Sequence, residues 1–220
     1  MKVAVLFSGG KDSCLALHLA KKEHEIVCLL NIVPKNFDSF MFHKPNFDLL
    51  KRQARELGVK LVMGETLGEE GRELDDLALL IGKVKDDVDG IVVGGIASSY
   101  QGKRIKKICD EYGLEFVAPL WDFSSEKVWE ELLKNKFEVV MTKIACDGLG
   151  RGWLGKVIDK KNLGELKKLS EGHGFRMDFE GGAAETAVLF MPGFKKKIGI
   201  EFDVKSEGEY RHWMENVRVK

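Results

Sequence analysis

Between Val3 and Ser13 the chain reads VAVLFSGGKDS, and no other stretch restricts the fold as strongly. The apolar run Val3 to Phe7 has strand character, and Ser8-Gly9-Gly10 then leads straight into a helix whose first turn carries Lys11, Asp12 and Ser13. Gly9 and Gly10 take positive φ without the roughly 1–2 kcal/mol per residue that a Cβ imposes, and they let a ligand approach the backbone. The amides that open a helix lack partners inside it and point over such a turn, which makes a site for anions. The helix dipole alone adds only about 0.3–1 kcal/mol. Several amides together with Ser8, Ser13 and Lys11 must therefore share the binding, and a pyrophosphate has enough oxygens to use them all. The turn is not a Walker loop, because Gly-x-x-x-x-Gly-Lys-Ser/Thr occurs nowhere in the chain.

With 220 residues the chain can build one large domain or two small ones. Lys+Arg and Asp+Glu both number 35, so no global basic field exists to hold nucleic acid. No apolar run reaches the length of a membrane span and no targeting segment precedes the first strand, which leads to the expectation of a cytoplasmic protein. The four cysteines, Cys14, Cys28, Cys109 and Cys146, form no C-x-x-C pair. That spacing argues against a zinc knuckle or a disulfide scaffold and for reduced, mostly buried thiols.

Leu15, Leu17, Leu19 and Ala20 continue the first helix, and Ile26 to Val33 reads as a strand buried on both faces. Asn31 at its end is either a polar cap or a ligand contact. Phe37 to Asn46 is an aromatic loop with one histidine, His43, able to titrate near neutral pH and to meet phosphate or substrate. A helix ending at Gly58, a short strand Lys60 to Met63 and a helix with Leu74, Leu77, Leu80 and Ile81 follow. Gly90 to Gly95 is a fourth strand whose carboxyl end carries Gly94 and Gly95. Ligands sit outside the carboxyl ends of strands in open α/β sheets, which puts these glycines beside the first turn. Arg104 lies early in the next helix, as a phosphate clamp or as a solvated arginine. Phe116 to Ala118 makes a fifth strand. The alternation predicts a doubly wound, mainly parallel five-stranded α/β sheet.

The regular alternation then stops, which places a domain boundary near Trp121: a first domain over 1–121 and a smaller α+β domain over 122–220. Ser124 and Ser125 begin a helix, and Phe137 to Ile144 returns as a strand. Gly150 to Gly155 fits Gly-x-Gly-x-x-Gly but lacks a convincing following helix, so a flexible loop is the better account than a dinucleotide cofactor. Glu180 to Thr186, EGGAAET, precedes the apolar run Ala187 to Met191. It reads either as a hairpin turn with exposed acids or as a loop that meets an amine or a metal.

The string Ser8-Gly9-Gly10-Lys11-Asp12-Ser13 resembles the signature of the PP-loop, or N-type, ATP pyrophosphatases, which cleave ATP between its α and β phosphates. With it, Met41 to Asn46, SSYQGKRIKKIC around Arg104, Ala118 to Trp121 and the EGG..ET segment together resemble the diphthine–ammonia ligase (diphthamide synthetase) family over nearly the whole chain. The resemblance implies a HUP, adenine nucleotide alpha hydrolase-like sheet followed by a substrate domain. It implies amidation of the diphthine carboxylate on translation elongation factor 2 with ATP and ammonium, through an acyl-adenylate. Ser8 to Ser13 would then hold pyrophosphate, the end of the second strand at Leu30 and Asn31 would receive adenine, and His43, Gly94 and Gly95 would line the nucleotide. Lys11 and Arg104 would neutralise charge developing on the phosphates, Mg2+ would bridge these, and Glu180 and Glu185 would serve the ammonia step. No protein-held metal and no bulk nucleic acid or membrane partner is expected, and self-association is left open. Two departures stand out: Ala183 and Ala184 occupy positions where the family commonly has glutamate and an aromatic residue, and Gly102 replaces a frequent arginine. The alternatives are another PP-loop adenylating enzyme, acting on tRNA or a small molecule, or a regulatory protein that holds ATP or AMP without turnover.

Overall fold

The computed structural model describes residues 1–34, 46–67, 72–95 and 99–220. The chain divides into two compact units, the first formed by Met1–Ser8 with Asp12–Asp122 and the second by Gly9–Lys11 with Phe123–Lys220. His43 lies outside the described residues.

The first unit alternates β1 (Lys2–Leu6), α1 (Lys11–Ala20), β2 (Glu25–Pro34), α2 (Phe47–Leu57), β3 (Lys60–Thr66), α3 (Arg72–Gly82), β4 (Gly90–Val92), α4 (Ser99–Tyr112) and β5 (Glu115–Val117). Its strands form one sheet in the order β3-β2-β1-β4-β5, and every pairing is parallel. The order reverses beside β1, so the turn after β1 stands at the switch point of the sheet. Ala4, Cys28, Leu30, Ile32 and Ile91 pack with Leu77, Leu80 and Ile81 of α3 and Ile105, Ile108 and Cys109 of α4 in one core. The alternate positions Val3, Val5 and Leu29 are equally buried, so both faces of the sheet are covered, as a parallel sheet requires. β3 runs past the expected Met63 because its ladder with β2 continues to Pro34 opposite Thr66. β4 is shorter than expected. It ends at Val92, opposite Val5, and leaves Gly94 and Gly95 in the connection at the mouth of the sheet.

The second unit holds α5 (Ser125–Lys134), β6 (Glu138–Ala145), a 3-10 turn (Arg151–Trp153), α6 (Lys160–His173), β7 (Ala184–Phe190), β8 (Ile200–Glu207) and β9 (Arg211–Val219). Its sheet runs β7-β6-β9-β8 and is antiparallel throughout. Trp129 of α5 is almost wholly buried, and its indole N–H donates to the Met177 carbonyl at 2.8 Å. β7 begins at Ala184, so Glu185 and Thr186 belong to a strand rather than to the loop before it. The Gly-x-Gly-x-x-Gly stretch forms the 3-10 turn and a bridge between Leu154 and Met141, and α6 starts only at Lys160, capped by Asp159. None of the four cysteines is in a disulfide. Burial pushes the Cys109 thiol up to about 11 and raises Cys14 as well.

Candidate functional site

The turn after β1 is closed by its own serines. Ser13 Oγ accepts from the Ser8 N–H at 3.3 Å and lies 3.1 Å from Ser8 Oγ, which ties the start of the turn to the first turn of α1. Gly9 adopts φ 77°, the left-handed conformation that glycine takes without steric cost. Gly94 approaches from the end of β4. A Cβ built on it would lie 2.7 Å from Ser13 N and 2.8 Å from Asp12 C, so only glycine allows the two backbones to meet. Gly95 has open space where a Cβ would stand.

At the end of β2 the two expected contacts have different environments. Leu30 belongs to the core, and its carbonyl already accepts from Phe7 N–H at 2.8 Å. Asn31 is 7% exposed and donates from Nδ2 to the Phe7 carbonyl at 2.8 Å. Its Oδ1 has no hydrogen-bond partner among the described residues. A buried amide oxygen without a partner costs roughly 1–3 kcal/mol, so this atom is an acceptor that a ligand donor would satisfy.

Arg104 lies half-buried on α4. Near the carboxyl ends of β4 and β5, Val93, Gly95, Phe116 and Trp121 help to line an apolar cavity of about 70 Å³. A Cβ on Gly102 would fall 2.5 Å from the Trp121 ring, so a larger side chain at this position has no room while Trp121 occupies it.

In the second unit, Lys11 is 2% exposed. Its main-chain N–H donates to Thr186 Oγ1 at 3.1 Å, and its ammonium donates to the Asp178 carbonyl at 2.6 Å. Gly9 O accepts from Val188 N–H at 3.1 Å. The ammonium also stands over the Phe179 ring, 5.5 Å from its centroid, within reach of a cation–π attraction. Glu185 pairs with Lys143 at 2.9 Å, and Glu180 lies 3.6 Å from Arg176. Glu180 therefore stands two residues from the carbonyl that holds Lys11. Sequence reading missed Asp178, Phe179 and Lys143. A single carboxylate and a single phenylalanine next to EGG carry no period or spacing that could reveal them. Thr186 lay within the segment that was singled out, but its bond to the Lys11 amide was not legible.

Among the described residues no three His, Cys, Asp or Glu side chains gather into a metal site. Among them, too, no helix is long and apolar enough to cross a membrane.

A model of the diphthamide synthase N-terminal domain matches residues 1–116, and one of the diphthamide synthase C-terminal domain matches residues 124–219. The human diphthine–ammonia ligase is 33% identical over 223 residues, covering 91% of this chain and 83% of that protein. The rat diphthine–ammonia ligase is 33% identical over 227 residues with the same two coverages, 91% and 83%. A solved structure described as a predicted subunit of tRNA methyltransferase from Methanocaldococcus jannaschii aligns with 90% of this chain and 100% of its own at 19% identity. Its TM-score is 0.45, too loose a likeness to bear on function.

Proposed function

The chain belongs to the diphthamide synthase family and is an ATP-dependent carbon–nitrogen ligase; we propose that its acceptor is the diphthine carboxylate of elongation factor 2 and its nitrogen donor ammonium. The observation that carries the nucleotide half of this reading is the closed turn between β1 and α1, where Ser13 Oγ accepts from the Ser8 N–H and Gly94 packs against the backbone of Asp12 and Ser13.

A carboxylate resists attack by ammonia because its charge is spread over both oxygens. Joined to AMP, it presents a carbonyl with a good leaving group. One carboxylate oxygen attacks the α-phosphorus of ATP and the bond to the bridging oxygen of the β-phosphate breaks, releasing pyrophosphate. Ammonium first gives up one proton to become ammonia, which attacks the acyl carbon; AMP departs and the nitrogen gives up a second proton to reach the amide. In this scheme the turn from Ser8 to Ser13, at the amino end of α1, receives the pyrophosphate. Lys11 and Arg104 offset the negative charge that builds on the transferring oxygens. Asn31 Oδ1 accepts from the exocyclic amine of adenine, which satisfies the buried atom.

Glu180 and Glu185 are the carboxylates proposed to hold ammonium, each through charge-assisted hydrogen bonds. Magnesium fits as a companion of the ATP phosphates, since it commonly keeps several waters and one or two carboxylates. Asp12, in the first turn of α1, is the carboxylate suited to it, and the ion would supply charge neutralisation. A thiol-based alternative is disfavoured by the burial of Cys14, Cys28 and Cys109. A cytoplasmic location accords with a substrate that works in translation.

Incubation with ATP, ammonium and elongation factor 2 bearing diphthine should release AMP in step with amide formation. ATP binding without AMP release would overturn the ligase reading in favour of a regulatory nucleotide-binding protein. Asp12→Ala and Ser13→Ala should each abolish ATP binding, and unchanged affinity in both would count against the assigned turn.

A further inference from the structure

The segment before β7 is a tight, strained structure built around one buried carboxylate. The Asp178 side chain is 2% exposed, and Arg176 grips it from Nη2 at 2.6 Å and from Nε at 3.0 and 3.2 Å. The Glu180 N–H donates to the same carboxylate at 2.9 Å. Between them Phe179 adopts φ 64°, a left-handed conformation that costs a residue with a Cβ roughly 1–2 kcal/mol. Such a conformation persists where its surroundings over-determine it. Here the Phe179 N–H closes a turn on the Arg176 carbonyl at 3.0 Å, and the ring packs edge-on to Trp129 at 6.0 Å and beside Phe175 at 6.4 Å. Burial alone would raise the Asp178 carboxyl, but the Arg176 guanidinium, the Glu180 N–H and the Lys11 charge outweigh it and leave it lowered.

This turn presents two groups to one ammonium. The Asp178 carbonyl accepts from Lys11 Nζ, and the Phe179 ring face lies beneath it. Both groups lose their aim if the peptide between Asp178 and Phe179 rotates, and the Asp178 carboxylate is what opposes that rotation.

We propose that Asp178 is a positioning residue for Lys11: its carboxylate, clamped by Arg176 and the Glu180 N–H, locks the left-handed turn whose carbonyl and ring hold the lysine in the rotamer that meets ATP. The proposal rests on the ATP-site reading. Asp178 touches no reacting atom and acts only through Lys11. An ammonium has three donors, so a bond to the carbonyl fixes the direction of the others. Arg176 is the outer half of the clamp and is well exposed, so its loss loosens the turn without opening the core.

The test is a double-substitution cycle read by equilibrium binding of ATP with magnesium to the full chain. Asp178→Ala should weaken binding about tenfold, the size commonly carried by a hydrogen bond to a charged group. In a Lys11→Ala background the same change should alter affinity less than about twofold, because the residue it positions is gone. Arg176→Ala should follow the same pattern more weakly, and Asp178→Asn, which keeps the shape and one acceptor, serves where the alanine variant fails to fold. Equal losses in both backgrounds would mean a merely structural role and overturn the proposal, as would an Asp178 variant that folds and binds ATP as the parent does. A parent chain that does not bind ATP would overturn the underlying reading itself.

Discussion

Gly94 is the residue at which the site tolerates least. Its Cα stands where an alanine methyl would lie 2.7 Å from Ser13 N, closer than real Cβ atoms approach backbone, and backbone has no rotamer to yield. Gly94→Ala should cost about 1–3 kcal/mol of stability, the range of overpacking, and weaken ATP binding by tilting the first turn of α1. Chemical denaturation and ATP titration check both, and a fully stable variant with parental affinity would refute the account. The sequence made this glycine a candidate through its place after an apolar strand, whereas Asn31 stayed ambiguous until its unsatisfied Oδ1 became visible. Asp178 could not have been found that way. Its importance comes from burial, from the Arg176 guanidinium and the Glu180 N–H on its carboxylate, and from the Lys11 ammonium on its carbonyl, and none of these leaves a trace in spacing.

At the scale of elements, α5 is a case where local chemistry sets the boundary. Ser124 accepts from the Lys127 N–H at 3.2 Å in extended backbone, the geometry of an N-cap. Ser124→Ala should cost about 1 kcal/mol in urea denaturation with ATP affinity unchanged; no loss of stability would show that the cap contributes nothing. The strands of the first sheet were legible because parallel strands are buried on both faces and read as unbroken apolar runs. The hairpin of β8 and β9 was not. Most of β8 is exposed, with Glu201, Asp203, Lys205 and Glu207 along one side, so no apolar run marks it. Its pairs include Lys205 with Glu215 and Arg211 with Glu207, which resemble any solvated stretch when read in one dimension. α6 was hidden for a similar reason. Only Leu166 among its residues is buried, so its apolar stripe is too thin to register.

For the molecule as a whole, acid should act partly through Asp178. Its folded value lies below that of the unfolded chain, so the carboxylate contributes stability that is fully present above the unfolded value of about 3.9 and is lost as pH falls through the folded value. The stability gap between the parent and Asp178→Asn should therefore be wide at pH 6 and shrink as pH approaches 2. A gap independent of pH would disprove that linkage. The membership of Gly9–Lys11 in the second unit carries a consequence for synthesis. Lys11 meets Thr186 across 175 positions of chain and Asp178 across 167. All five strands of the first sheet emerge from the ribosome long before these partners exist, since domains form from the amino terminus onward. A half-made chain thus carries its nucleotide turn without the residues that brace it, and capture of ATP becomes a late event in the life of the nascent polypeptide.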